Sequence, residues 1–363
     1  MRDGRLQRLL RLLGGRFDFT YDHTVFPLSN IGKRQAGNLL LNIAESSLRV
    51  GMPRSYPAFL QLEPTTHCQL TCVHCPRPRT ISARPGHMDW TRYEALMREI
   101  GPYLIAVALW QWGEPLLHPR MADMVALAKQ YGIFTMISTN GQFDDARLGL
   151  KELFSAGLDL LIVSLDGVRQ KAYDSFRSGG DVGLVRRFIE EAVEVKRGLG
   201  LDNPLVNVRI IVTSGTEAEV GAVRDFARGA GADFFSIKSV SLYGDPDPAS
   251  PYLPANAAYR SFQYRGRAEA DEYRDMVFRC TKPWSWPTLR YDGTLLACEC
   301  DHAMDHALGN VFSASFKGVW RGRKARSVRE RFNAPGGIDL DFCRRCRYKI
   351  NDAIRSVEHL RRR

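Results

Sequence analysis

The sequence has no apolar run approaching the roughly eighteen to twenty residues that a spanning helix needs, so no transmembrane helix is expected. It also lacks a secretory signal. Met1 to Phe17 is broken by Arg2, Arg5, Arg8 and Arg11 and contains no apolar core followed by small residues. Cysteine is sparse, 8 in 363 residues, and falls in groups. In a chain this long, such grouping argues against a disulfide framework and for metal ligation in a reducing compartment, so the expected location is the cytoplasm. The basic stretches lack the interleaved aromatics and glycines of an RNA-binding platform. The net charge of +11, concentrated toward Arg2 to Arg11 and Arg361 to Arg363, is therefore read as solvated surface rather than a nucleic-acid site. No internal repeat is present beyond an alternation of strands and helices.

What is present is enough apolar residue, 44%, to build a sizeable core. Residues 1–56 read as a basic helical extension. Leu6, Leu9, Leu10 and Leu13 recur at helical spacing, and a second helical pattern runs through Leu39, Leu40, Ile43 and Leu48. The first pattern suits an interfacial membrane helix as well as one packed on the exterior of a barrel, and the latter is the expectation. From Phe59 short apolar strands alternate with helices: Phe59 to Leu62, Leu104 to Trp110, Phe134 to Ser138, Leu160 to Leu165, Val206 to Val212 and Phe234 to Ile237 are the strands. That pattern predicts an α/β fold over 57–240, a parallel sheet with helices outside, in the form of a partial (βα)6 TIM-like barrel. Active residues are then expected at the C-terminal strand ends. Asp245 to Pro254, with four prolines, marks a linker within 241–279, and 280–363 forms a smaller cysteine-bearing module.

The first group of cysteines lies in Thr66 to Pro76, read THCQLTCVHCP, directly after the first barrel strand. Cys68, Cys72 and Cys75 can hold three irons of a four-iron cluster and leave one open to a small molecule. The alternative reading of the residues alone is a zinc site using these cysteines with His67 or His74. The spacing resembles the radical S-adenosylmethionine (SAM) superfamily. This resemblance implies that SAM chelates the open iron through its amino and carboxylate groups and is cleaved reductively to a 5′-deoxyadenosyl radical. Trp112-Gly113-Glu114-Pro115, after the second strand, is similar to the family's GGE motif with Trp112 in place of its first glycine. By that likeness Gly113 and Glu114 hold the SAM amino group. Ser138-Thr139-Asn140-Gly141 and Ser164-Leu165-Asp166-Gly167 end the third and fourth strands. They resemble SAM-contacting strand ends, which makes Ser138, Asn140, Ser164 and Asp166 cofactor-binding candidates. In Tyr173 to Arg177, Arg177 would pair with the SAM carboxylate.

Cys280, Gly293, Cys298, Cys343 and Cys346, with Leu308-Gly309-Asn310-Val311 and Trp320 between them, resemble the SPASM or Twitch extension. The resemblance implies that Cys280, Cys298, Cys343 and Cys346 ligate one auxiliary cluster in a small α+β iron–sulfur domain. A full SPASM domain has a further cysteine where Asp352 stands, so the shortened form is expected. A zinc knot remains the other reading of these four cysteines. Trp286 to Ala297 should form a hairpin turning at Tyr291-Asp292-Gly293. Cys300 is left over, either a spare ligand or inert thiol or a hydrogen-atom donor of the kind an epimerase needs. Glu299, Lys238 and Tyr291 are candidate bases.

The expected cofactors are thus SAM and two [4Fe-4S] clusters, served by an external electron donor of the flavodoxin or ferredoxin type. The expected reaction is dehydrogenation or epimerisation of a small polar molecule such as an aminocyclitol or sugar. The alternative is a maturase that crosslinks a ribosomal peptide. The 55 residues before the barrel are short for a leader-binding winged helix and show no strand pattern, which disfavours that alternative. A zinc protein binding RNA through its basic ends is the reading from a different class.

Overall fold

The structure, a computed structural model, describes residues 11–12, 14–77, 85–242, 249–276, 279–333, 340–344, 346, 349 and 353–360. A hairpin of β1 (Phe17–Tyr21) and β2 (Thr24–Leu28) comes first. Six strands follow, β3 (Phe59–Leu62), β4 (Ala106–Leu109), β5 (Phe134–Thr139), β6 (Leu160–Ser164), β7 (Leu205–Val212) and β8 (Phe234–Ser239). They lie side by side in chain order, each neighbouring pair parallel. Helices Trp90–Ile100, Met121–Gln130, Arg147–Ser155, Val182–Gly198 and Val220–Ala230 make the crossovers. Helices cover the outer face and an apolar cluster fills much of the inner one, which explains the long apolar runs; the polar exceptions Gln61, Arg209 and Lys238 line the cavity. Val107, Leu109, Leu161 and Val163 pack with the helices, while Ala106, Ala108, Met136 and Ile162 belong to a separate inner cluster. This is the partial (βα)6 barrel read from the sequence.

The C-terminal module joins the same sheet. β9 (Thr288–Leu289) pairs parallel with β3, and β10 (Thr294–Leu296) and β11 (Gly309–Asn310) add on antiparallel. The β9–β10 turn closes at Gly293, whose φ of +88° favours glycine. β12 (Ile354–His359) returns to pair antiparallel with β8, so the far edge of the barrel is covered by a strand from the end of the chain. A boundary at 280 therefore separates segments of chain but not of sheet. The expected linker is also folded onto the barrel where it is described. Leu253 and Tyr264 are buried with Phe176 and Val240, and Ser214 donates its amide to the Tyr252 carbonyl at 3.0 Å. Asp245, Pro246 and Pro248 lie outside the described residues, as do Asp352 and the basic C-terminal arginines.

The N-terminal extension departs most from expectation. Leu6, Leu9, Leu10 and Leu13 lie outside the described residues. Phe17 to Leu28, however, form a β-hairpin rather than helix, and it packs on the inner face of the barrel. Phe19 meets Phe59 and Phe134 at centroid distances of 5.3 and 5.4 Å, and Phe26 meets Phe134 at 5.1 Å. The physical reason is visible in the residues. Phe17, Phe19 and Tyr21 alternate with Asp18 and Thr20, a strand period, and the small Ala106 and Ala108 leave space opposite.

Helix Lys33–Ser47 does form where periodicity placed one, but the face it buries carries polar residues as well as Ala36 and Leu39. Gln35, Asn38, Asn42 and Glu45 are buried, whereas Leu41, Ile43 and Leu48 are exposed. The buried side chains satisfy loop backbone: Gln35 Nε2 donates to the Leu104 carbonyl at 2.6 Å, Asn42 Nδ2 to the Trp284 carbonyl at 2.7 Å, and Glu45 accepts from the Arg54 and Ser55 amides. The helix thereby ties the barrel to the C-terminal module.

Candidate active site

The C-terminal end of β3 runs into the cysteine loop, and the loop is held on three sides. Thr66 exchanges hydrogen bonds with Gly86, its amide donating at 3.0 Å and its hydroxyl accepting at 2.9 Å. The Thr71 and Val73 amides donate to the Ser178 and Phe176 carbonyls, both at 3.2 Å. The third side is Gly113-Glu114, where the Glu114 amide donates to the His67 carbonyl at 2.7 Å. Only glycine fits at 113, because a Cβ there would stand 2.0 Å from the Thr65 carbonyl oxygen. The glycine of this motif thus serves close backbone approach, and Trp112 beside it is accommodated.

Cys68, Cys72 and Cys75 are partly exposed and line one cavity of about 450 Å³. Gly113, Glu114, Ser138, Asn140, Ser164 and Arg177 line the same cavity. Backbone and side-chain donors point at sulfur: the Leu70 amide and Asn140 Nδ2 stand 3.5 and 3.6 Å from Cys68 Sγ, and an Arg177 guanidinium nitrogen 3.8 Å from Cys72 Sγ. Burial pushes the Cys68 thiol up to about 11 and raises Cys75 as well, so these sulfurs become thiolates only with a partner that offsets desolvation.

Glu114 is placed differently from a side chain reaching toward a ligand. Its carboxylate is buried and accepts from Thr139 Oγ1 at 2.8 Å, the Asn140 amide at 2.7 Å and the Leu116 amide at 3.1 Å. Burial raises its pKa to about 7, against the pull of those donors. It therefore fastens β4 to the end of β5. Asp166 is also drawn back from the cavity, fully buried, and accepts from Arg177 Nε and the Ile211 amide, both at 2.5 Å. Burial works against the Arg177 charge and Asp166 more than offsets it, holding the guanidinium above its ordinary pKa.

The remaining cysteines gather in the C-terminal module. Cys280, Cys298, Cys300, Cys343 and Cys346 are all buried, and Cys298, Cys300 and Cys346 pack together with Phe342. Cys300 is not among the cavity-lining residues. Its neighbour Glu299 does line the cavity, and Lys282 Nζ donates to it at 2.6 Å. Of the candidate bases, Lys238 and Glu299 line the cavity and Tyr291 does not; its ring packs against Gly86. The sequence reading missed Thr20, Tyr21, Asp22 and His23 from the hairpin, together with Arg209 and Lys282, all of which line the cavity.

Compared with known proteins, residues 62–227 match the radical SAM superfamily, and residues 280–347 match SPASM, an iron–sulfur cluster-binding domain. The chain belongs to the radical SAM superfamily and carries an SPASM domain. The tungsten-containing aldehyde ferredoxin oxidoreductase cofactor-modifying protein of Pyrococcus furiosus is 28% identical over 185 residues, 50% of this chain and 51% of that one, so the chain spans about half the length of that relative. The PqqA peptide cyclase of Gluconobacter oxydans is 22% identical over 316 residues, 82% of this chain and 85% of the relative. Among solved structures, Streptococcus suis SuiB bound to S-adenosylmethionine superposes with a TM-score of 0.60 at 15% identity, covering 86% of this chain and 76% of that one, a likeness of fold.

A radical SAM domain and an SPASM domain on one chain imply SAM and two iron–sulfur clusters as cofactors. The donor chemistry fits both clusters. Three thiols on one cavity wall, faced by Asn140 and Arg177, suit an anionic cluster with one side open. The module's five buried cysteines include the four thiols that a closed one needs. No helix among the described residues is long and apolar enough to cross a membrane.

Proposed function

We propose that this radical SAM protein modifies a peptide, forming a bond at an unactivated carbon by net two-electron oxidation. The expectation of a small polar substrate is set aside. The observation that carries the choice is the likeness to PqqA peptide cyclases, which extends over 80 to 82% of the chain, through barrel and module alike. The position of Cys300, outside the cavity lining, further disfavours an epimerase with that thiol as hydrogen donor.

In this reading Cys68, Cys72 and Cys75 hold the SAM-binding cluster. Gly113 lets the cysteine loop approach, Glu114 locks the strand ends, Ser138, Asn140 and Ser164 face the ribose, and Arg177, oriented by Asp166, meets the SAM carboxylate. When bound, the clusters supply the electron that cleaves SAM to the 5′-deoxyadenosyl radical and accept the second electron of substrate oxidation. The protein's part is to hold the substrate carbon at the cavity and to take up the released proton, for which Glu299, paired with Lys282, is positioned. A flavodoxin- or ferredoxin-type protein would serve as reductant.

The test uses anaerobically reconstituted enzyme, SAM, dithionite and uniformly deuterated peptides translated from reading frames adjoining its gene. Deuterium should appear in 5′-deoxyadenosine, and one peptide should lose the mass of two deuterium atoms. Deoxyadenosine free of deuterium from every peptide, with peptide masses unchanged, would overturn the reading.

Cys280, Cys298, Cys343 and Cys346 are proposed to hold the auxiliary cluster, leaving Cys300 beside it. Cys300→Ala should then keep the iron content of the parent, about eight per chain with both clusters present. A drop to about four would make Cys300 a ligand.

A further inference from the structure

The N-terminal hairpin ends in the cavity. Tyr21 pairs with Thr24, so its turn has two residues, Asp22 and His23, with φ of 44° and 61°. Positive φ at both positions is the backbone of a type I′ turn, in which asparagine or aspartate followed by glycine is the favoured pair. Aspartate fits that preference. Histidine stands in the second place, where glycine is the favoured residue, and this puts an imidazole rather than bare backbone at the cavity wall.

The surroundings of the tip are fixed. Phe19 and Phe26 anchor the two strands on the inner face of the barrel. Asp22 accepts from Arg209 of β7 at 2.5 Å, and Arg209 Nε donates to Ser236 Oγ of β8 at 3.1 Å. Against this clamped neighbour, His23 is exposed, lines the cavity, and makes no hydrogen bond to any described residue. Lys238, Lys282 and Glu299 line the same space, so its polar groups come from hairpin, barrel and module together.

We propose that His23 is a substrate-contacting residue. The hairpin carries it into the cavity, where the imidazole hydrogen-bonds a carbonyl or carboxylate oxygen of the substrate and sets the depth at which the substrate lies. This rests on the reading that the cavity beside Cys68, Cys72 and Cys75 holds the substrate. No residue of the SAM end is involved.

Glycine makes the test selective. A residue needed only for the turn would be replaced by glycine without loss, because the I′ turn favours it. His23→Gly holoenzyme should unfold at or above the parental temperature, yet show a KM for the modified peptide raised about tenfold, the worth of one hydrogen bond, with a smaller fall in kcat. His23→Asn, which tolerates the backbone and can still donate, should recover most of the loss. A parental KM in His23→Gly overturns the proposal. Should the parent enzyme turn over no peptide, the peptide reading has failed and a substrate-free measurement decides this one. Diethyl pyrocarbonate should carbethoxylate His23 in SAM-loaded holoenzyme while sparing His118, which is 4% exposed. A His23 as resistant as His118 overturns the proposal.

Discussion

Replacing Cys68, Cys72 and Cys75 together with alanine should reduce 5′-deoxyadenosine formation to the background of the assay and halve the iron, from about eight to about four per chain. The expectation follows from the separation of the two thiol groups. These three cysteines line the cavity with the proposed SAM contacts, while Cys280, Cys298, Cys343 and Cys346 are buried in a module whose own hairpin, β9–β10, docks beside β3. The loop that carries the three is fastened by backbone bonds at Thr66, Thr71, Val73 and Glu114, none of which uses a cysteine side chain. The triple variant should therefore fold and keep its auxiliary iron. Loss of all iron would mean that the two sites form together. Retained SAM cleavage would remove the assignment of the loop, and zinc at either site would reopen the reading that the cysteines alone permit.

How far the sequence could be read depended on what each residue's neighbours were. The six parallel strands were legible because burial on both faces favours apolar residues, as in Leu160 to Val163, and a run of that kind between helical periods has few other folds. The cavity-lining positions at the strand ends were legible because they follow those strands directly. Helix Lys33–Ser47 was placed correctly and buries Leu39 as the pattern expects, but Ile43 and Leu48 are exposed and polar residues are buried in their stead. Periodicity of leucines assumes an apolar core, whereas this helix faces loop carbonyls and amides that need Gln35, Asn38, Asn42 and Glu45. The hairpin was missed although Phe17 to Tyr21 alternates cleanly, because its turn, Asp22-His23, carries no glycine to announce it. Glu114 and Asp166 were recognised as important, but which way each carboxylate points depends on donors from Thr139, Asn140 and Ile211, which lie far from them in sequence.

The second large effect concerns Asp166. Asp166→Ala leaves the Arg177 guanidinium, whose side chain is 14% exposed, without its carboxylate, and leaves the Ile211 amide without an acceptor. Breaking a buried pair from one side costs about 3–5 kcal/mol, because the surviving charge must stay desolvated. For a chain of 363 residues that should lower the unfolding temperature by about 5 °C. SAM affinity should fall as well, since Arg177 loses the bond that fixes its orientation toward Cys72. The stability loss and the binding loss have different causes, and a second substitution separates them. In Asp166→Leu with Arg177→Met both charges are gone and the volume is filled, a change that at buried pairs is often neutral. That double variant should regain most of the thermal stability and none of the SAM affinity, measured by isothermal titration of the reconstituted protein. If it regained both, Arg177 would be a structural partner of Asp166 and the SAM carboxylate would have to be held elsewhere. If it regained neither, the pair would be holding the segment Phe176 to Ser178 against the cysteine loop, through the carbonyls that Thr71 and Val73 use.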